Sequence, residues 1–183
     1  MCNIGCEPSD DRRTVAVMRR IVPLVLLVAA AVVLVVRGGG EPSRATFGRA
    51  QVLRVVDGDT IRVRLDGRTE RVRYIGIDTP ESVKPGTPVQ CYAERASAAN
   101  AALVAGRRVR LVADAERRDR YGRLLAYVYR VPDGAFVNAA LVRDGFARTL
   151  TIPPNVAHAA QFAGLASAAR RAGRGLWGAC AIE

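Results

Sequence analysis

The 183-residue sequence predicts an α+β fold: a small five-stranded β-barrel with three helices, preceded by one N-terminal hydrophobic helix. Three observations predict it. Apolar and charged residues alternate with the period of half-buried strands from residue 51 to 77, and helical spacing begins only near residue 92. A Gly/Pro-rich stretch separates both from an uncharged apolar run nearer the N-terminus.

Residues 1–20 form a short basic segment, and residues 21–36 are apolar throughout. Arg12, Arg13, Arg19 and Arg20 precede that run, and Arg37-Gly38-Gly39-Gly40 ends it. A spanning helix needs roughly 20 apolar residues, so the run is slightly short and two readings compete. One is a transmembrane signal-anchor whose basic flank stays in the cytoplasm. The other is a cleaved signal peptide. Ala29-Ala30-Ala31 offers small residues for cleavage, but bulky aliphatics follow at once, which favours the anchor. Met18-Arg19-Arg20 leading into the apolar run is itself the layout of an export signal, so residues 1–17 are a candidate untranslated extension. Both readings export the remainder: a cell-membrane protein with its folded domain outside, or a secreted one if the segment is cleaved. Residues 37–46 are a linker, residues 47–179 the folded domain, and residues 180–183 a tail.

Within the domain, Gln51–Val56 is the first strand and Asp57-Gly58-Asp59 a turn. Ile61, Val63 and Leu65 alternate with Arg62 and Arg64 as a second strand; Asp66-Gly67 is a hairpin signal, and Arg71–Ile77 is the third strand. Tyr92–Gly106 is Ala-rich, with Ala96, Ala99 and Leu103 at helical spacing and Gly106 as the C-terminal cap. Arg108–Ala113 and Leu124–Arg130 are two further strands. Phe136–Asp144 and Asn155–Ala172 are helices ended by Gly145 and Gly173. Three meandering strands, a helix and two strands is the element order of an OB barrel. Such barrels bind single-stranded nucleic acid or oligosaccharide, and the fold alone licenses no more.

Charge narrows the function. Of 28 basic and 17 acidic residues, residues 45–183 hold 22 and 13, a net of +9, with Lys84 the only lysine. A GC-rich genome explains the Arg-to-Lys ratio but not the excess of charge, which points to a polyanionic partner. His158 is the only histidine, so acid–base schemes that need a His pair are excluded; its Ala-rich setting predicts a helix-surface position. No two cysteines have C-x-x-C spacing, which argues against the usual zinc sites. Cys91 and Cys180 form an even pair in the exported part; a disulfide between them and two free thiols are both open.

Three segments are candidates for chemistry: Asp57-Gly58-Asp59-Thr60, Arg73-Tyr74-Ile75-Gly76-Ile77-Asp78-Thr79-Pro80-Glu81, and Asp119-Arg120-Tyr121-Gly122-Arg123. Singly, each has a plain structural explanation as a turn, a capped loop or a solvated strand face. Together, and in this order, they resemble the staphylococcal nuclease (thermonuclease) family over about residues 48–178. The resemblance continues through Ala126-Tyr127-Val128-Tyr129, Val137-Asn138-x-Ala140-Leu141-Val142 and Gly175-Leu176-Trp177.

The resemblance implies a calcium-dependent phosphodiesterase acting on DNA and RNA, single strands favoured, and leaving 3′-phosphate and 5′-hydroxyl ends. By that likeness Asp59, Asp78 and the Thr79 carbonyl hold Ca2+, a hard-oxygen set of the kind calcium prefers, and Asp57 supports them. Glu81 is the general base, Arg73 and Arg123 stabilise charge on the phosphate, and Tyr121 with Asp119 stands on the substrate side. One departure is that Leu150 and Ile152 occupy positions where the best-studied members place tyrosines against the nucleotide. The alternative function is a non-catalytic nucleic-acid-binding module at the cell surface. No obligate protein partner is evident.

Overall fold

The computed structural model describes residues 45–81, 86 and 88–180. The basic segment, the apolar run, most of the linker and residues 181–183 lie outside the described residues, so the expectation of a membrane-spanning helix does too. Among the described residues no helix is long and apolar enough to cross a membrane. The chain divides after Ser43, and the unit from Arg44 onward is the one described below.

Five strands make the frame: β1 (Thr46–Val55), β2 (Thr60–Leu65), β3 (Arg68–Tyr74), β5 (Arg108–Val112) and β6 (Leu124–Val131). They pair in the order β1–β2–β3–β6–β5, and β5 returns to β1, closing a barrel. Only β3 and β6 run parallel. In β2 the period-2 pattern sets the faces: Ile61 and Val63 are fully buried, whereas Arg62 and Arg64 are exposed. Asp66 and Gly67 both take positive φ, 48° and 79°, as a two-residue hairpin turn requires, and this sets Leu65 opposite Arg68.

The third strand is shorter than the alternation predicts. It ends at Tyr74, and Gly76–Asp78 is a separate strand, β4, which pairs antiparallel with β7 (Arg148–Leu150). The break at Ile75 has long-range causes. Its N–H donates to the Ala126 carbonyl at 3.0 Å, and its own carbonyl accepts the Asn138 side-chain amide at 2.9 Å. Gly76 follows at φ 80°, and a Cβ there would lie 2.5 Å from the Phe162 ring, so only glycine fits. The chain therefore leaves the barrel just before Asp78 and Thr79.

Among the described residues the helices are α1 (Ala93–Val104), α2 (Val137–Arg143), α3 (Ala159–Arg171) and a fourth, unanticipated turn α4 (Leu176–Ala179). α3 starts four residues later than predicted. Pro153 and Pro154 supply no backbone donors, and the Asn155 side chain is committed to the Glu116 backbone, accepting from its N–H at 2.7 Å and donating to its carbonyl at 3.0 Å. His158 is not on a helix surface. It stands at the N-terminal boundary of α3 and packs against Tyr127 and Phe136, with ring centroids 4.5 and 4.9 Å away. The core combines barrel residues such as Val52, Ile61 and Val128 with Leu141 from α2 and Phe162 from α3. Cys91, just before α1, is disulfide-bonded to Cys180, just after α4.

Candidate active site

Two groups of side chains meet at the β3 end of the barrel. The first is the turn between β1 and β2. Asp57 Oδ1 accepts the Asp59 N–H at 3.0 Å and closes the turn. Asp59, 4% exposed, spends both oxygens inside the protein. Its Oδ2 accepts from the Thr79 N–H at 2.9 Å and the Thr79 hydroxyl at 3.0 Å, and its Oδ1 accepts from the Thr60 hydroxyl at 3.1 Å. Gly58 permits this approach, because a Cβ there would lie 2.6 Å from Thr79 Oγ1.

Arg73 ties the turn to β4. Its Nε lies 3.1 Å from Asp59 Oδ1, and its Nη2 donates to Asp78 Oδ1 at 2.7 Å. Its Nη1 donates to the carbonyls of Ile77 and Tyr74, at 2.8 and 3.0 Å. Two carboxylates, Asp59 and Asp78, thus share one guanidinium, and Asp57 adds a third negative charge beside Asp59. The imbalance is visible in their protonation. Burial, and then the charge of Asp59, pushes the Asp57 carboxyl up to about 6. Burial also raises that of Asp78; Arg73 pulls it back, while Asp59 and Glu81 add to the rise.

The second group is the loop before β6. Asp119 Oδ1 accepts the N–H groups of Tyr121 and Arg123 at 3.0 and 2.9 Å, and its Oδ2 accepts Arg123 Nε at 2.6 Å. Burial alone would raise the Asp119 carboxyl, but the Arg123 side chain and these backbone donors hold it below the usual carboxylate range. Tyr121 is 68% exposed, with the Arg120 and Arg123 guanidinium carbons 4.8 and 5.5 Å from its ring centroid.

The parallel pairing of β3 with β6 brings the groups together. Arg73 stands opposite Leu125, two residues after Arg123. Both arginines line one cavity of about 450 Å³, with Asp119 and Tyr121 on the same wall and Leu125, Leu150 and Ile152 as apolar lining. The structure does not gather every predicted residue there. Asp78 and Thr79 open on another cavity, of about 310 Å³, beside Arg148 and the disulfide. Glu81 lines neither; its backbone is fixed to Gln90, whose side-chain oxygen accepts the Glu81 N–H at 2.9 Å and whose own N–H donates to the Glu81 carbonyl at 3.0 Å. Among the described residues no three His, Cys, Asp or Glu side chains converge as a metal-binding group. The donor chemistry nevertheless fits a hard divalent cation: the donors are all oxygens, and three carboxylates, Asp57, Asp59 and Asp78, stand near the arginines Arg73 and Arg148.

Two supporting residues had no role assigned from the sequence: Asn100, which no motif included, and Asn138, which stood in one of the family-like segments. Asn100 is fully buried on α1, accepts the Tyr74 hydroxyl at 2.9 Å and donates to the Asp57 carbonyl at 3.0 Å, bracing the acidic turn. Asn138, equally buried on α2, accepts the Val128 N–H at 2.9 Å while holding Ile75. The available signal for Asn100 was a lone polar residue at the spacing of the buried Ala96 and Val104.

A closed barrel with two arginines in one cavity and a buried acidic turn beside them defines an anion-accepting site next to a cation-favouring one. The family model described as "Staphylococcal nuclease homologue" matches residues 71–179, and the chain belongs to that family. Among curated relatives it is 52% identical over 104 residues to the thermonuclease of Staphylococcus intermedius, covering 57% of this chain and 61% of that one. It is 39% identical over 127 residues to the thermonuclease of Staphylococcus hyicus, covering 69% and 74%. It is 46% identical over 111 residues to endonuclease YncB of Bacillus subtilis, covering 60% and 52%. The chain thus spans about half to three quarters of these relatives' lengths.

Proposed function

We propose that the chain is a calcium-dependent nuclease that hydrolyses phosphodiester bonds in DNA and RNA, with single strands favoured and 3′-phosphate and 5′-hydroxyl ends produced. The observation that carries this reading is the shared cavity of Arg73 and Arg123, since guanidiniums fork onto phosphate oxygens and two in one cleft suit the added negative charge of a phosphodiester's transition state. Family membership and the names of the relatives support it.

In this reading Arg73 and Arg123 fork onto the scissile phosphate and favour the charge that grows on its oxygens in the transition state. Tyr121, with Asp119 fixing its loop, meets the substrate. Glu81 takes a proton from the attacking water as general base. Asp59, Asp78 and the Thr79 carbonyl would hold calcium, with Asp57 behind them, and calcium would supply positive charge that stabilises anionic oxygen. The same proposal places the domain outside the cell, anchored or secreted according to the fate of the N-terminal segment.

The test is cleavage of single-stranded DNA with calcium and then with chelator. Calcium-dependent hydrolysis that falls by about 10²-fold or more in Glu81→Gln and in Arg123→Ala is expected. Strand binding with no hydrolysis under any divalent cation would instead leave a non-catalytic binding module.

A further inference from the structure

We propose that the outer face of β1, β2 and β3 is a second phosphate-binding surface, one that holds the nucleic-acid strand where it leaves the cavity; this rests on the nuclease reading. The strand register places Arg54 opposite Arg62 and Arg62 opposite Arg71, a row of three arginines across three strands. All three are exposed. Beside them, Arg64 lies opposite Gln51, and Gln51 opposite Arg108, which extends the basic face toward β5. With strands ~4.8 Å apart and alternate residues ~7 Å apart, these side chains form a small grid of positive charge.

Two features separate this grid from an ordinary solvated face. No ion pair among the described residues involves Arg54, Arg62, Arg64, Arg71 or Arg108. Like charges placed directly opposite each other weaken a sheet, so the barrel carries a cost that a polyanion would relieve. The second feature is the irregularity in β1. The register shifts between Val52 and Arg54, so Leu53 is the extra residue. Strict alternation after buried Val52 would turn Arg54 inward; the bulge returns it to the outer face.

The direction of the row identifies the occupant. Arg71 and Arg73 are two residues apart on β3 and so lie on one face, and Arg73 lines the cavity. The basic row therefore begins beside the phosphate site and runs across the sheet from it. A strand whose scissile phosphate sits in the cavity meets that row with its neighbouring phosphates, a continuity that binding to a lipid surface would not require.

The experiment compares the full chain with Arg54→Gln/Arg62→Gln/Arg71→Gln by fluorescence anisotropy, in chelator so that no cleavage occurs. The probes are a trinucleotide and an oligothymidylate of about 15 nucleotides, across about 50 to 200 mM salt. The longer strand should bind at least about tenfold more weakly at low salt, with a log–log salt slope shallower by about 2, since each lost single-strand phosphate contact removes about 0.7. Trinucleotide affinity should stay within about twofold, and Arg54→Lys/Arg62→Lys/Arg71→Lys should keep most of the slope. A thermal midpoint no lower than that of the parent chain shows that the triple variant is folded. Unchanged affinity and slope for the longer strand would overturn the proposal. So would loss of binding to phosphatidylserine vesicles alone, which would assign the row to lipid. Because binding is read without hydrolysis, a chain that shows the slope change here yet cleaves nothing when calcium is supplied sinks the nuclease reading only.

Discussion

Asp119 holds Arg123 in place, and replacing it tests whether that restraint matters. The carboxylate accepts two backbone N–H groups and the Arg123 Nε, the last at 2.6 Å. The pair is largely shielded, with the Asp119 side chain 16% and the Arg123 side chain 24% exposed. Hydrogen bonds to charged groups contribute about 1.5–3 kcal/mol each when buried, and water replaces part of that here. Asp119→Ala should therefore cost about 2–3 kcal/mol, and Asp119→Asn, which keeps an oxygen for the backbone donors, about 1 kcal/mol. Because the folded carboxyl lies below its ordinary value, its stabilisation is fully present above the unfolded pKa and is lost as pH falls through the folded one. Urea denaturation of parent and Asp119→Ala should thus differ at neutral pH, and the gap should close as acid protonates the folded Asp119 carboxyl. Turnover should fall by about 10²-fold as Arg123 loses its position. Equal urea midpoints at neutral pH, or a gap that widens on acidification, would refute the reasoning. Parent-like turnover in Asp119→Asn would show that Arg123 needs no such restraint.

Other perturbations follow from the same geometry. Gly58→Ala would drive a Cβ into Thr79, 2.6–2.8 Å from its side-chain atoms, and displace both donors to Asp59. A loss of about 1–3 kcal/mol in urea titration, together with weaker calcium binding by calorimetry, is expected; parent values for both would contradict the packing argument. Cys91→Ser/Cys180→Ser opens a covalent link between residues 89 apart in sequence. Its thermal and urea midpoints should drop by the equivalent of about 2–4 kcal/mol, and no drop would mean that the bridge constrains little.

How far the fold was legible depended on whether its causes were local. The β2–β3 hairpin was readable because Ile61, Val63 and Leu65 alternate with arginines and Asp66-Gly67 supplies the positive φ values. The end of β3 was not: Arg71–Ile77 reads as one strand, and only Asn138 and Phe162, more than sixty residues away, show why it breaks at Ile75 and Gly76. β7 left no pattern because all three of its residues are exposed. β1 starts five residues earlier than its apolar run, where Thr46 pairs with Val112 of β5. His158 looked superficial in an Ala-rich sequence, since its Tyr127 and Phe136 partners come from other segments.

The candidate site divides along the same line. The motif residues announced themselves by type and spacing, because a carboxylate turn and an Asp-x-Tyr-Gly-Arg loop each organise their own hydrogen bonds over two to four residues. Their joint role came only from the family resemblance; the geometry that joins them was hidden, because it depends on the barrel's one parallel pairing. Arg73 and Arg123 are fifty positions apart, and the register of Arg73 with Leu125 is what turns both toward a single cavity. A slip of one residue there would carry Arg123 ~3.3 Å along β3 and reverse the faces of β6. Asn138 opposes that slip by holding Val128 of β6 and Ile75 beyond β3 with one side chain. A buried amide on α2 thus joins the β3–β6 ladder itself and the Ile75 N–H to Ala126 bond in holding the register on which the arginine pair depends.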